Sequence, residues 1–258
     1  MNEKIYDGDP AKFDHLIREG YEFKTREYIS RGWEILSGST GSYLGFILVA
    51  GVISGIANSI PYVGILVSIA IGGPIAVGTF IFSQKLANGE VARFEHFFDG
   101  FQDYVQLTLT YALYMILAFS PMFLTSLIIG YDFYAPDPSL IPVIMLVMIP
   151  SMYLILAYSF ALPLVVFERM SAWNALELSR KIITKRWFSF FLFLIALSFI
   201  QVLGLLALVI GLLFTIPLYY TSMYAAYEDI IGGHVDPLLE KIDEIGQEIK
   251  PEEFDDKF

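Results

Sequence analysis

Four stretches of this chain contain no Lys, Arg, Asp or Glu: Gly41 to Ser83, Tyr104 to Tyr131, Pro138 to Phe167 and Trp187 to Tyr227. No other feature restricts the fold as strongly. One bilayer crossing takes about 20 apolar residues. The first and fourth runs can each hold two crossings, and the second and third suit one each, which predicts six transmembrane helices. The composition follows from these runs. Of 258 residues, 56% are hydrophobic and 17% are charged, against about 25% charged in an ordinary soluble domain.

The charges predict the topology. Six crossings place every one of the 16 basic residues on one side: Lys4 to Arg31 before the first crossing, Lys85 and Arg93 between the second and third, Arg169 to Arg186 between the fourth and fifth, and Lys241, Lys250 and Lys257 after the sixth. The other side holds only Asp132 and Asp137. The positive-inside rule makes the basic side cytoplasmic, with both termini inside. Five crossings would export the basic residues of one terminus. Residues 1 to 30 are polar and lack the apolar core of a signal peptide, so the first crossing itself is expected to direct insertion.

A threefold pattern runs along the chain. Each unit opens with an amphipathic cytoplasmic segment, continues with an outgoing helix and returns through a proline-containing one. The expected apolar faces are Ile29, Trp33 and Leu36 in the first unit and Phe94, Phe97, Phe98 and Phe101 in the second. The third is Trp173, Leu176, Ile183 and Trp187. The four phenylalanines are spaced as one stripe of an α-helix, with Glu95, His96, Asp99 and Asp103 opposite. The stripe fits a helix lying in the membrane surface, or a cap packed on the helix ends. The fold class read from the sequence is therefore an all-α integral membrane protein. It has six transmembrane helices in three pseudo-repeated hairpins, each preceded by a cytoplasmic amphipathic helix. Residues 1–24 form a cytoplasmic N-terminal segment, 25–232 the membrane domain, and 233–258 an acidic tail with a short amphipathic helix.

Candidate residues are those of packing and interfaces. Gly51 and Gly55 form a GxxxG pair suited to close helix approach within the chain or, alternatively, to a homodimer seam. Pro74, Pro163 and Pro217 interrupt the returning helices; broken helices build substrate sites in some transporters and are harmless bends in many other proteins. Gln201 lies mid-membrane, where an unpaired amide is costly, and is expected to hydrogen-bond another helix. Leu239 and Ile242 belong to the tail helix, a docking element or a cover for the cytoplasmic face. Glu168 and Glu228 sit at helix ends, as a gating pair or as ordinary interfacial carboxylates.

The chain has no cysteine and only three widely spaced histidines, His15, His96 and His234. No nucleophile–base motif, phosphate loop or metal motif appears. The sequence therefore predicts no enzyme, no cofactor and no metal. The net charge of −11 argues against a nucleic-acid partner.

Three stretches carry a resemblance: Tyr28-Ile-Ser-Arg-Gly-Trp-Glu-Ile-Leu36; Phe97-Phe-Asp-Gly-Phe101; and Gly211-Leu-Leu-Phe-Thr-Ile-Pro-Leu-Tyr-Tyr220 with Ala226-Tyr-Glu-Asp-Ile230. In this order the chain resembles bacterial six-helix membrane proteins of the YciC-like group, which includes the membrane domain attached to some glycerophosphodiester phosphodiesterases. The likeness covers about residues 25 to 232. It implies a multi-pass protein of the bacterial cytoplasmic membrane and assigns no activity. The expected function is a non-catalytic accessory or scaffold subunit that binds lipid, a membrane-protein partner or a second copy. A small-molecule or lipid transporter is the alternative.

Overall fold

A computed structural model describes residues 6–59, 63–129, 137–207 and 210–232. Among these the chain is helical, with no strand. In order the α-helices are α1 (Asp14–Arg18), α2 (Thr25–Gly38), α3 (Thr40–Asn58), α4 (Val63–Ala87), α5 (Tyr104–Ile129), α6 (Ile141–Ala157), α7 (Ala161–Phe167), α8 (Ala172–Lys185), α9 (Trp187–Leu206) and α10 (Leu212–Ile230). A 3-10 segment, Phe94–Asp103, leads into α5. The acidic tail, including Leu239, Ile242 and His234, lies outside the described residues, as does most of the Gly130–Pro138 loop.

Five stretches are long and apolar enough to cross a membrane: Thr40–Ala57, Gly64–Ala87, Phe94–Ile129, Pro138–Phe167 and Trp187–Leu206. The sequence predicts a sixth. It corresponds to α10, whose Thr, Ser, Tyr and Pro residues lower its hydropathy. The reason lies in its position. α10 is the most enclosed long helix, with Pro217, Leu218, Thr221, Ser222, Met223, Tyr224, Ala225, Ala226, Tyr227 and Ile230 all buried. It packs against α2, α3, α4 and α9, so its side chains meet protein rather than the surroundings.

Helices α2 and α8 occupy two of the segments expected to be amphipathic, and the residues they bury match the expected apolar faces only in part. α2 buries Tyr28, Gly32, Ile35 and Leu36, while Trp33 is 54% exposed. A Cβ on Gly32 would strike the backbone of Ser222, so glycine here lets α2 lie directly on α10. Tyr28 Oη donates to Asp229 at 2.8 Å, and Lys24 pairs with the same carboxylate at 3.5 Å. α8 buries Ala172, Ala175, Leu176, Leu178, Ser179, Ile182 and Ile183. Its expected aromatic anchors point away: Trp173 is 60% exposed, and Trp187, the first residue of α9, is 43% exposed.

The phenylalanine stripe is also corrected. The segment has about three residues per turn, so positions i, i+3 and i+6 share a face. Phe97, Gly100 and Asp103 are buried accordingly; Phe101 lies off that face and is exposed, and Phe94, in register with it at the start of the segment, is exposed as well. The Phe97 ring is stacked between Phe82 at 3.9 Å and Phe46 at 4.3 Å. Gly78 and Gly100 permit this contact, because a Cβ on either would meet the backbone of Phe97 or Pro74. Asp103, expected on the polar face, is instead buried. It accepts from Tyr6 Oη at 2.6 Å and from Arg169 Nη1 at 3.1 Å. Burial, reinforced by that hydrogen bond, pushes the Tyr6 hydroxyl up to about 12. This knot ties the N-terminal segment to the base of α5 and to the α7–α8 turn, where Arg169 takes a positive φ of 50°. Phe13 and Leu16 continue the strap into the core beside α8.

Proline breaks helical hydrogen bonds, and nearby hydroxyls repair them. Pro74 cannot donate to Ala70 O, and Thr108 Oγ1 from α5 donates there instead at 2.9 Å. Pro163 opposes the carbonyl of Ser159, four residues earlier, and the crossing breaks into α6 and α7 around Tyr158–Phe160. The buried Ser179 of α8 spans this break. Its hydroxyl donates to Ala157 O at 2.7 Å and accepts from Phe160 N–H at 3.1 Å. Such repairs are needed where water cannot reach the backbone.

Candidate functional site

One cleft stands out inside the bundle, with a volume of about 540 Å³, within the range of small-ligand pockets. α3 supplies one wall through Phe46, Ala50, Gly51, Ser54 and Ala57. α4 supplies the next through Ser68, Gly72, Ala76 and Thr79. Tyr111 and Tyr114 enter from α5, Tyr158 and Ser159 from the α6–α7 break, and Tyr219 and Tyr220 from α10. From Phe46 to Ala57 the cleft follows α3 for about 16 Å at 1.5 Å per residue, roughly half of a 30 Å hydrocarbon core. Its floor lies by Phe46, Thr79 and Phe80, next to the stacked phenylalanines.

The chemistry of the lining is uniform: no Asp, Glu, His, Lys or Arg among the described residues contributes to it. The polar groups are hydroxyls, five of them phenolic. Two ring pairs are edge to face, Tyr219 on Tyr220 at 5.4 Å and 90° and Tyr114 on Tyr158 at 6.4 Å and 90°, and Tyr111 is tilted by 40° on Tyr114. A phenol can donate and accept a hydrogen bond while presenting an apolar ring. This lining suits an uncharged or weakly polar molecule with an apolar body, and it offers no acid–base pair. Among the described residues no cluster of His, Cys, Asp and Glu could hold a metal ion.

Of the residues singled out from the sequence, Gly51 and Pro163 line the cleft. Gly51 and Gly55 do not pack closely against another helix, since a Cβ on either meets no atom within 4 Å. The intramolecular contact expected of the GxxxG pair is therefore not made. Pro74 approaches Gly100, and Pro217 is buried in α10. Gln201 lies outside the cleft. Its Nε2 donates to Thr215 O at 2.7 Å and its Oε1 accepts from Thr215 Oγ1 at 2.9 Å, joining α9 to α10. Phe94, Phe97, Phe98 and Phe101 belong to the capping segment below the cleft. Glu168 and Glu228 do not meet in the cleft either. Glu228 accepts from Tyr224 Oη at 3.1 Å, while burial raises the Glu168 carboxyl above its usual range, partly offset by Lys12.

Tyr111, Tyr114 and Tyr158 are not among the residues singled out from the sequence. The available signal was Tyr111-Ala-Leu-Tyr114, two phenols one helical turn apart in an otherwise apolar run. Comparison with models of known families, with curated proteins and with solved structures finds no match.

Proposed function

We propose that this is a six-crossing membrane protein that binds a lipid-like, uncharged ligand in the tyrosine-lined cleft and performs no chemistry on it. The observation carrying the reading is the cleft's composition: five phenols and several small hydroxyls with no ionisable acid, base or metal ligand other than tyrosine. α10 serves as the sixth crossing. Its 19 residues span about 28 Å, and a helix surrounded by protein need not be as apolar as one facing lipid. With that helix counted, the basic residues fall on one side and both termini are cytoplasmic. Three hairpins, α3–α4, α5–α6/α7 and α9–α10, each follow a shorter cytoplasmic segment. This is the arrangement implied by the resemblance to the YciC-like proteins of the bacterial cytoplasmic membrane.

A plug tests the binding role. Gly51→Phe places a ring in the cleft from a position with open space, without removing a packing contact. Native mass spectrometry of the purified protein should show bound lipid in the wild type and its loss in the variant, at an unchanged unfolding temperature. Equal lipid occupancy in two well-folded proteins would refute the binding site. Transport is the second reading, favoured by the helix break at Tyr158–Phe160 on the cleft wall. Reconstituted vesicles carrying a fluorescent uncharged glycolipid distinguish the two. Binding alone leaves the label in its original leaflet, whereas transport redistributes it in wild type and not in Gly51→Phe.

A further inference from the structure

We propose that the outward face of α8, continued through Arg186, Trp187 and Phe188, is an interfacial site for anionic phospholipid headgroups, distinct from the cleft. This inference rests on the membrane reading above. It starts from the two 14-residue amphipathic helices, α2 and α8. Each exposes a tryptophan, and together with Trp187 these are the chain's three tryptophans, all of them turned away from the core. Tryptophan favours the headgroup layer because its ring is apolar and its N–H seeks a polar partner.

The charges on the two helices differ. α2 carries Arg26 and Arg31 against Glu27 and Glu34, two bases to two acids, and Arg31 pairs with Glu34 at 3.4 Å. α8 carries Arg180, Lys181 and Lys185 against Glu177 alone, three bases to one acid. Arg180 binds Glu177 at 2.7 and 2.9 Å, and Lys181 reaches the same carboxylate at 3.6 Å. That carboxylate cannot neutralise both. Among the described residues Lys185 makes no ion pair, and Arg186 uses Nε on Tyr21 O at 2.9 Å with no hydrogen bond from its terminal nitrogens. Trp173, Glu177, Arg180, Lys181, Thr184 and Lys185 occupy one arc of the helix, opposite the buried Ala175, Ser179 and Ile182. The excess positive charge thus shares a surface with Trp173 and ends beside Trp187 and Phe188, which are 43% and 57% exposed. In a chain of net charge −11, this local surplus is what an anionic headgroup would select. Basic residues at a membrane surface enrich anionic lipid by about fivefold each.

Because Trp187 ends this surface and Trp33 lies on the charge-balanced α2, quenching by brominated lipid compares the two directly. Variants keeping only Trp33, or only Trp187, are reconstituted in phosphatidylcholine vesicles containing an equal minor fraction of brominated phosphatidylglycerol or brominated phosphatidylcholine. Trp187 should be quenched more strongly by the brominated anionic lipid and Trp33 equally by both. Lys181→Gln with Lys185→Gln, both at exposed positions, should return Trp187 toward parity, as should high salt. Quenching of both tryptophans without any anionic preference would overturn this inference and leave the membrane reading intact. Failure of either lipid to quench any tryptophan would overturn the membrane reading as well.

Discussion

α6 and α10 are both long helices of this bundle, and they invert the pattern of a soluble protein. α6 is among the most apolar stretches, yet Ile141, Val143, Met145, Leu146, Met148, Ile149 and Met152 are all exposed. α10 carries threonine, serine and tyrosine, yet it is the most enclosed. In water such an arrangement would be unfavourable, because apolar area would remain hydrated while hydroxyls were buried. In a bilayer it is consistent. Lipid tails accept the α6 side chains, and packing between helices relies on small and polar residues that interdigitate or hydrogen-bond. In this pair the more apolar helix faces outward and the hydroxyl-bearing one inward, while the core as a whole stays largely apolar.

The largest expected effect breaks that comparison at α10. Gly32→Leu would drive a side chain into the Ser222 backbone and separate α2 from α10. A loss of about 3 kcal/mol or more is expected, read as a large fall in unfolding temperature in detergent. On α6 the same kind of enlargement should be silent, but charge should not. Ile149→Arg, near the middle of the α6–α7 crossing, should cost about 3 kcal/mol of membrane insertion, measured by a glycosylation-mapping insertion assay. Ile149→Ala should leave the purified protein's unfolding temperature almost unchanged, since an exposed side chain leaves no cavity. If Ile149→Ala destabilised the protein as a core truncation does, the α6 face would be covered by another chain rather than by lipid.

Ser179→Ala is expected to cost less, about 1 to 3 kcal/mol. It leaves Ala157 O and Phe160 N–H without the hydroxyl that spans the helix break. The matched change Thr184→Val tests specificity. Thr184 Oγ1 donates to Arg180 O and meets Tyr153 Oη at an exposed site, so its loss should be much smaller in the same thermal assay.

How much of this was legible in the sequence depends on the kind of information each feature needs. The uncharged runs marked the five apolar helices, because a 20-residue apolar segment is a local signal. α10 enters the six-crossing reading through the charge partition and not through its hydropathy, which Tyr219 to Tyr224 weaken. The faces of α2 and α8 were misassigned for one reason. Each tryptophan was grouped on one apolar face with residues that the fold buries, Leu36, Leu176 and Ile183, whereas in a membrane protein an exposed tryptophan at a helix flank is equally natural. The period of Phe94–Asp103 was misread because 3-10 geometry there depends on contact with α4 through Gly78 and Gly100, a tertiary condition. The cleft was not legible. Its phenols come from three places far apart in sequence, α5, the α6–α7 break and α10, and single tyrosines in apolar helices resemble ordinary packing residues.

The smallest effect sharpens the account of α10. Gln201 and Thr215 exchange two hydrogen bonds across α9 and α10, and the close approach of Gly204 to Gly211 and Thr215 holds the same helices together nearby. Interhelical hydrogen bonds in membrane proteins average about 0.6 kcal/mol, because the alternative state also finds partners for its polar groups. Gln201→Leu, similar in length and fully apolar, removes both bonds at once. It leaves Thr215 Oγ1 able to turn back onto its own helix, as Thr221 Oγ1 already does onto Pro217 O at 3.2 Å. About 1 kcal/mol should be lost, a small drop in unfolding temperature with lipid occupancy of the cleft unchanged. A loss comparable to that of Gly32→Leu would instead make the Gln201–Thr215 pair the main determinant of how α10 is seated, and glycine packing secondary to it.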